Sequence, residues 1–150
     1  IEGSNDSIRK LDAQTGENLG DLVSLGNTGH AFYGMAFDGA NTLYVADFDM
    51  DRIQRYDIRT GADLGPLDPA NSIGLDGPVG ISYGPDGKLY VADYSDRVLR
   101  YNFSTAAFEV FIPTGTVVDP YHVEFGPDGN AFVSDALNNR VLRWSPQHHA

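Results

Sequence analysis

Gly80-Ile-Ser-Tyr-Gly-Pro-Asp-Gly-Lys-Leu-Tyr-Val-Ala-Asp93 decides the fold, because the chain contains it three times. It aligns without gaps with Gly34-Met-Ala-Phe-Asp-Gly-Ala-Asn-Thr-Leu-Tyr-Val-Ala-Asp47 and with His122-Val-Glu-Phe-Gly-Pro-Asp-Gly-Asn-Ala-Phe-Val-Ser-Asp135. Each copy runs on into a basic, β-branched stretch, Arg52–Tyr56, Arg97–Tyr101 and Arg140–Trp144. The closing aspartates Asp47, Asp93 and Asp135 set intervals of 46 and 42 residues. A partial copy leads the chain, since Ser7-Ile-Arg-Lys-Leu-Asp-Ala-Gln-Thr-Gly16 matches Arg52-Ile-Gln-Arg-Tyr-Asp-Ile-Arg-Thr-Gly61.

Within a copy, apolar residues alternate in the first strand (Met35 and Phe37, Ile81 and Tyr83, Val123 and Phe125), the period of a β-strand. A tight turn follows, Gly-Pro-Asp-Gly in two copies, where Pro presets φ and Gly accepts a positive φ. The second strand centres on Val45, Val91 and Val133 and the third holds the arginines; the fourth follows Thr15-Gly16, Thr60-Gly61 and Thr105-Ala106. No stretch carries helical periodicity with paired caps. A four-stranded unit repeated every 42–46 residues predicts an all-β protein made of antiparallel β-propeller blades. We expect one partial domain over 1–150, with repeats at about 1–25 (partial), 30–75, 76–118 and 119–146. That is about three blades plus a partial blade, a half propeller or a fragment.

Composition narrows the partners. The chain has 150 residues and a net charge of −11, from 10 Lys and Arg against 21 Asp and Glu. Nucleic-acid binding needs a basic face, so none is expected. No apolar run approaches the length that spans a bilayer, so no membrane insertion is expected. There are no cysteines, which excludes disulfides and zinc–thiolate sites and is compatible with export. The compartment itself is not read from the sequence, an extracellular or periplasmic setting being slightly favoured. The sequence opens Ile1-Glu2-Gly3-Ser4 without Met, which suggests a processed form, an excised piece or an incompletely known sequence. Open end blades would expose sheet faces and edges, so a homo-oligomer or a longer propeller is expected.

The stretch Gly80–Tyr101 resembles the NHL-repeat propellers, and is similar also to the blades of virginiamycin B lyase and gluconolactonase-like six-bladed propellers. The resemblance covers nearly the whole chain. It implies architecture more than activity, because such propellers serve as scaffolds, receptors, lyases and lactonases. The expected function is a non-enzymatic scaffold binding a protein or small-molecule ligand. The alternative is a metal-dependent lyase or lactonase-type enzyme with a channel site.

Candidate residues follow from the repeat and from departures from it. Asp47, Asp93 and Asp135, with Arg52, Arg97 and Arg140, recur in every copy and read as structural turn pairs. Asp47-Phe-Asp49-Met-Asp51 spaces carboxylates as a Ca²⁺ loop would, but Arg52 follows where a ligand is needed, so no metal or other cofactor is assigned beyond that Ca²⁺ candidate. His122 and Glu124 replace Gly34 and Ala36 of one copy and Gly80 and Ser82 of another. We read them, with Tyr121, Ser82 and Ala36, as candidates to line a central channel, without a catalytic set. The position of His122 in Pro120-Tyr121-His122 also resembles the inner-strand His of lyase-like propellers. His30 reads as a solvated loop residue, and His148 and His149 as a tail.

Overall fold

The computed structural model describes residues 6–26 and 28–145; His148 and His149 lie outside them. The described residues form thirteen strands and no helix. A two-stranded sheet pairs β1 (Ser7–Leu11) with β2 (Asn18–Ser24). Two four-stranded sheets follow in simple meander order: β3 (Phe32–Phe37), β4 (Thr42–Asp47), β5 (Arg52–Asp57) and β6 (Asp63–Pro66), then β7 (Pro78–Tyr83), β8 (Leu89–Asp93), β9 (Arg97–Asn102) and β10 (Ala107–Ile112). The last sheet holds β11 (Pro120–Phe125), β12 (Ala131–Asp135) and β13 (Arg140–Trp144). All pairings are antiparallel. The chain is thus an all-β partial β-propeller.

Short polar side chains fix the turns. Between β5 and β6, Asp57 Oδ1 accepts the Arg59 and Thr60 amides at 3.0 and 2.8 Å and the Thr60 hydroxyl at 2.8 Å. Asp12 repeats this with Gln14 and Thr15 between β1 and β2, and Asn102 with Ser104 between β9 and β10. These side chains substitute for backbone partners in a turn.

The core lies in the seams between sheets. Val45, Leu43 and Tyr56 close on Ile8 and Val23 of the leading sheet. Ala36, Ala46 and Ile53 meet Ile81, Leu89 and Val91 across the next seam. Tyr90, Val98 and Ile112 meet Val123, Ala131 and Val133 across the last. Val45, Val91 and Val133 are fully buried, as their shared place in the repeat predicts; each such side chain contributes roughly 1.5–3 kcal/mol relative to exposure.

Phe37 departs from this pattern. The repeat predicts equivalent buried positions for Phe37, Tyr83 and Phe125; Tyr83 and Phe125 are half-buried, whereas Phe37 is 59% exposed and its neighbour Met35 53% exposed. Alternation gives a strand two faces. The face bearing Ala36 is covered by the following blade, whereas the face bearing Phe37 looks toward the leading sheet, whose described strands are only β1 and β2.

Candidate functional site

The first strands β3, β7 and β11 stand side by side, and glycine sets their spacing. A Cβ built on Gly34 would lie 2.5 Å from Val79 O, and one on Gly80 would lie 2.4 Å from Tyr121 O. Backbone therefore packs directly on backbone. The third copy has His122 at this place, and its Nδ1 lies 2.7 Å from where a Cβ on Gly80 would stand.

Each first strand also carries a β-bulge at the same point. Phe32 pairs with Asp47 but Met35 with Val45, and the same one-residue slip recurs between Pro78 and Ile81 and between Pro120 and Val123. A bulge re-aims the side chains it carries. In the last sheet Ser134 Oγ accepts the Tyr121 and His122 amides of the bulge at 3.2 and 2.8 Å. Ala46 and Ala92 hold the equivalent positions in the other sheets, so Ser134 was legible as a departure from the repeat and was missed.

The structure places the channel candidates in two groups. Ala36 and Ser82 are buried, and Ser82 donates its hydroxyl proton to Val123 O at 2.6 Å, across the seam to the next blade. Their side chains face a neighbouring blade. His122, Glu124 and Tyr121 are exposed. His122 Nε2 lies 3.5 Å from Glu124 Oε2, with the side chains 54% and 65% exposed, and Glu124 Oε1 accepts the Phe125 amide at 3.2 Å. Such a pair can bind a proton or one edge of a polar ligand. No group of three His, Asp or Glu side chains that could hold a metal ion occurs among the described residues.

The recurrent aspartates have zero exposure. Asp93 Oδ2 accepts Arg97 Nε at 3.0 Å, while Oδ1 accepts the Ser95 hydroxyl at 2.8 Å and the Ser95 and Asp76 amides at 3.2 and 3.3 Å. Asp135 takes Arg140 Nε at 2.7 Å, the Val118 amide at 2.8 Å and Asn138 Nδ2 on both oxygens. Burial alone would push the Asp135 carboxyl up, but the Val118, Arg140 and Asn138 hydrogen bonds outweigh it and hold the group below the usual carboxylate value. Beyond the carboxylate, Arg97 reaches the Ile73 and Gly74 carbonyls and Arg140 the Thr116 carbonyl. Each of these two pairs thus fastens the incoming connector of its own blade.

Asp47 differs from its counterparts. It accepts Arg52 Nε at 3.2 Å, and His30 Nδ1 lies 2.6 Å from the same oxygen. The His30 side chain is only 11% exposed, which corrects the solvated reading: the ring shares Oδ2 with Arg52, whereas the amides of Asp76 and Val118 bind Oδ1 of Asp93 and Asp135, and Asp47 Oδ1 is left without a hydrogen-bond partner. The Ca²⁺ candidate loop is divided by these contacts. Asp47 turns inward to His30 and Arg52, Asp51 Oδ1 accepts the Gly77 amide at 2.8 Å, and Asp49 stays exposed.

That Asp51 contact belongs to a second series, unforeseen in the sequence. Asp96 Oδ1 accepts the Asp119 amide at 2.9 Å, and Asp6 Oδ2 accepts the Thr28 and His30 amides at 2.9 and 3.1 Å. Asp6, Asp51 and Asp96 precede the third strand in successive copies, and each reaches forward to the start of the next blade.

No family model matches the sequence, and no curated protein matches it. Solved structures share its shape. A catalytically inactive virginiamycin B lyase from Staphylococcus aureus, with quinupristin, superposes with a TM-score of 0.72 at 15% identity, over 95% of this chain and 46% of that one. A chain of a nidogen/laminin complex gives 0.69 at 18% identity, over 94% and 59%. The WD40 β-propeller domain of Doa1 gives 0.66 at 15% identity, over 86% and 40%. The chain spans about half the length of these structures. Identity this low speaks for fold alone, and on sheet order, bulge register and shape together the chain is a partial β-propeller.

Proposed function

We propose that the chain belongs to a non-enzymatic NHL-type propeller that serves as a protein- or ligand-binding scaffold. The observation that carries this reading is the division of labour among its polar and apolar side chains. The repeated Asp and Arg residues are engaged in turns and connectors, while Tyr33, Met50, Tyr94, Tyr121 and Leu137 stand 42–66% exposed on the loops and strand starts at one end of the blades. Loops on a rigid frame are where binding residues concentrate. The end blades would be covered by further blades, from a longer chain or from a second copy.

A second reading, a lyase or lactonase-type enzyme using a divalent metal, draws on the exposed His122–Glu124 pair. Thermal unfolding with Ca²⁺ or Mg²⁺ separates the two, because an ion bound to the native state raises its stability. The scaffold reading expects an unchanged midpoint. A metal-dependent rise abolished by Glu124→Ala would rank the second reading above the first.

A further inference from the structure

Four aromatic side chains form an arc across three successive blades at the end where the second strands finish. Tyr33 and Phe48 have ring centroids 5.4 Å apart, and Phe48 and Tyr94 5.7 Å apart, edge to face. Tyr121 stands second in β11 as Tyr33 stands second in β3, and so continues the row at the same end of the next blade. Tyr33, Tyr94 and Tyr121 are 54%, 42% and 49% exposed, so an aromatic surface remains open after the rings have met one another.

The arc has a constructed floor. Gly77 lies beneath it, and a Cβ there would fall 2.7 Å from Phe48 Cε2 and 3.1 Å from Tyr94 Cβ. Its amide is held by Asp51 Oδ1 at 2.8 Å. The same carboxylate series that joins the blades thus sets the rings side by side.

The charge around the arc is of one sign. Asp49 and Asp76 are exposed, Asp51 and Asp96 are half-buried, and Asp119 lies near enough to Tyr94 to raise its hydroxyl above the ordinary tyrosine value. The cations of the same end are committed elsewhere, Arg52 to Asp47, Arg97 to Asp93 and Arg140 to Asp135. Aromatic faces attract Lys and Arg side chains, and carboxylates beside them add charge complementarity. An extended peptide presents same-side residues roughly 7 Å apart, comparable with the spacing of the rings.

We propose that the arc Tyr33–Phe48–Tyr94–Tyr121 is a docking site for an extended basic peptide segment, whose Lys or Arg side chains lie on the rings between the flanking aspartates. This rests on the scaffold reading above and names its surface and the chemistry of its partner.

The test is fluorescence anisotropy of a labelled oligolysine peptide at physiological ionic strength, with the full chain as receptor and oligoglutamate as control. Tyr94→Leu removes a ring and leaves the net charge unchanged; Tyr94→Phe keeps the ring. The expected result is saturable binding of oligolysine alone, weakened at least tenfold in Tyr94→Leu and retained in Tyr94→Phe, with all three proteins unfolding at similar temperatures. Equal affinity in the Leu variant would mean diffuse attraction to an acidic protein, and absence of oligolysine binding would remove the site; either overturns the proposal. If Tyr94→Leu fails to fold, Tyr33→Leu takes its place with the same criteria. The outcome is independent of the metal titration, which reads Glu124.

Discussion

At the scale of single residues, the acidic character of the chain is largely structural. Asp135 is a fully buried carboxylate whose proton affinity is lowered by the Val118 amide, Arg140 and Asn138. A carboxyl depressed in the folded state stabilises it above the unfolded-state value, near pH 4, and that contribution is lost as pH falls through the folded-state value. Urea unfolding between pH 7 and pH 2 should therefore show a falling midpoint in the acid range. Asp135→Asn should be less stable at pH 7 and show a shallower acid loss. An Asn variant with the wild-type acid slope would mean that other carboxylates carry the effect. The recurrence of Asp47, Asp93 and Asp135 was legible because repetition implies a repeated task. The partnership of His30 with Asp47 was not, because the equivalent positions hold Asp76 and Val118.

At the scale of elements, the strands were readable from alternation and turn chemistry, and the turn ahead of β10 offers a test. Gly16 and Gly61 occupy the left-handed region at φ 72° and 73°, while Ala106 takes the equivalent place at φ 52°. An L-residue with a Cβ is strained there. Ala106→Gly should relieve that strain, partly offset by the greater freedom of Gly in the unfolded chain, for a net gain of up to about 1 kcal/mol. Thermal unfolding reads this as a rise in the midpoint, and a fall would show that the turn is not strained. Sequence alternation failed at a different point in the same elements. It assigns two faces to β3 but cannot tell which neighbour covers each, so Phe37 was expected inside and stands exposed. Likewise Ala36 and Ser82 were read as channel-facing, since a pattern of small residues does not distinguish an open channel from a tightly packed strand.

At the scale of the whole molecule, stability rests on seams. Gly80→Ala would place a methyl group 2.4 Å from Tyr121 O and 2.7 Å from His122 Cα. Backbone cannot yield there without moving a blade, and overpacking of this kind costs about 1–3 kcal/mol. Urea unfolding should show that loss, and wild-type stability in the variant would mean that the blades sit further apart than described. The last described sheet differs at this position, carrying His122 where the two preceding first strands carry glycine.

The forward-reaching aspartates give the fold a direction in time. Asp6, Asp51 and Asp96 accept amides that lie 22–26 residues later in the chain. During synthesis from the N-terminus, domains and their parts emerge in order. Each acceptor therefore leaves the ribosome before its donor. Each of these carboxylates is thus made before the amide that it receives, and it ties its own blade to the start of the one synthesised next.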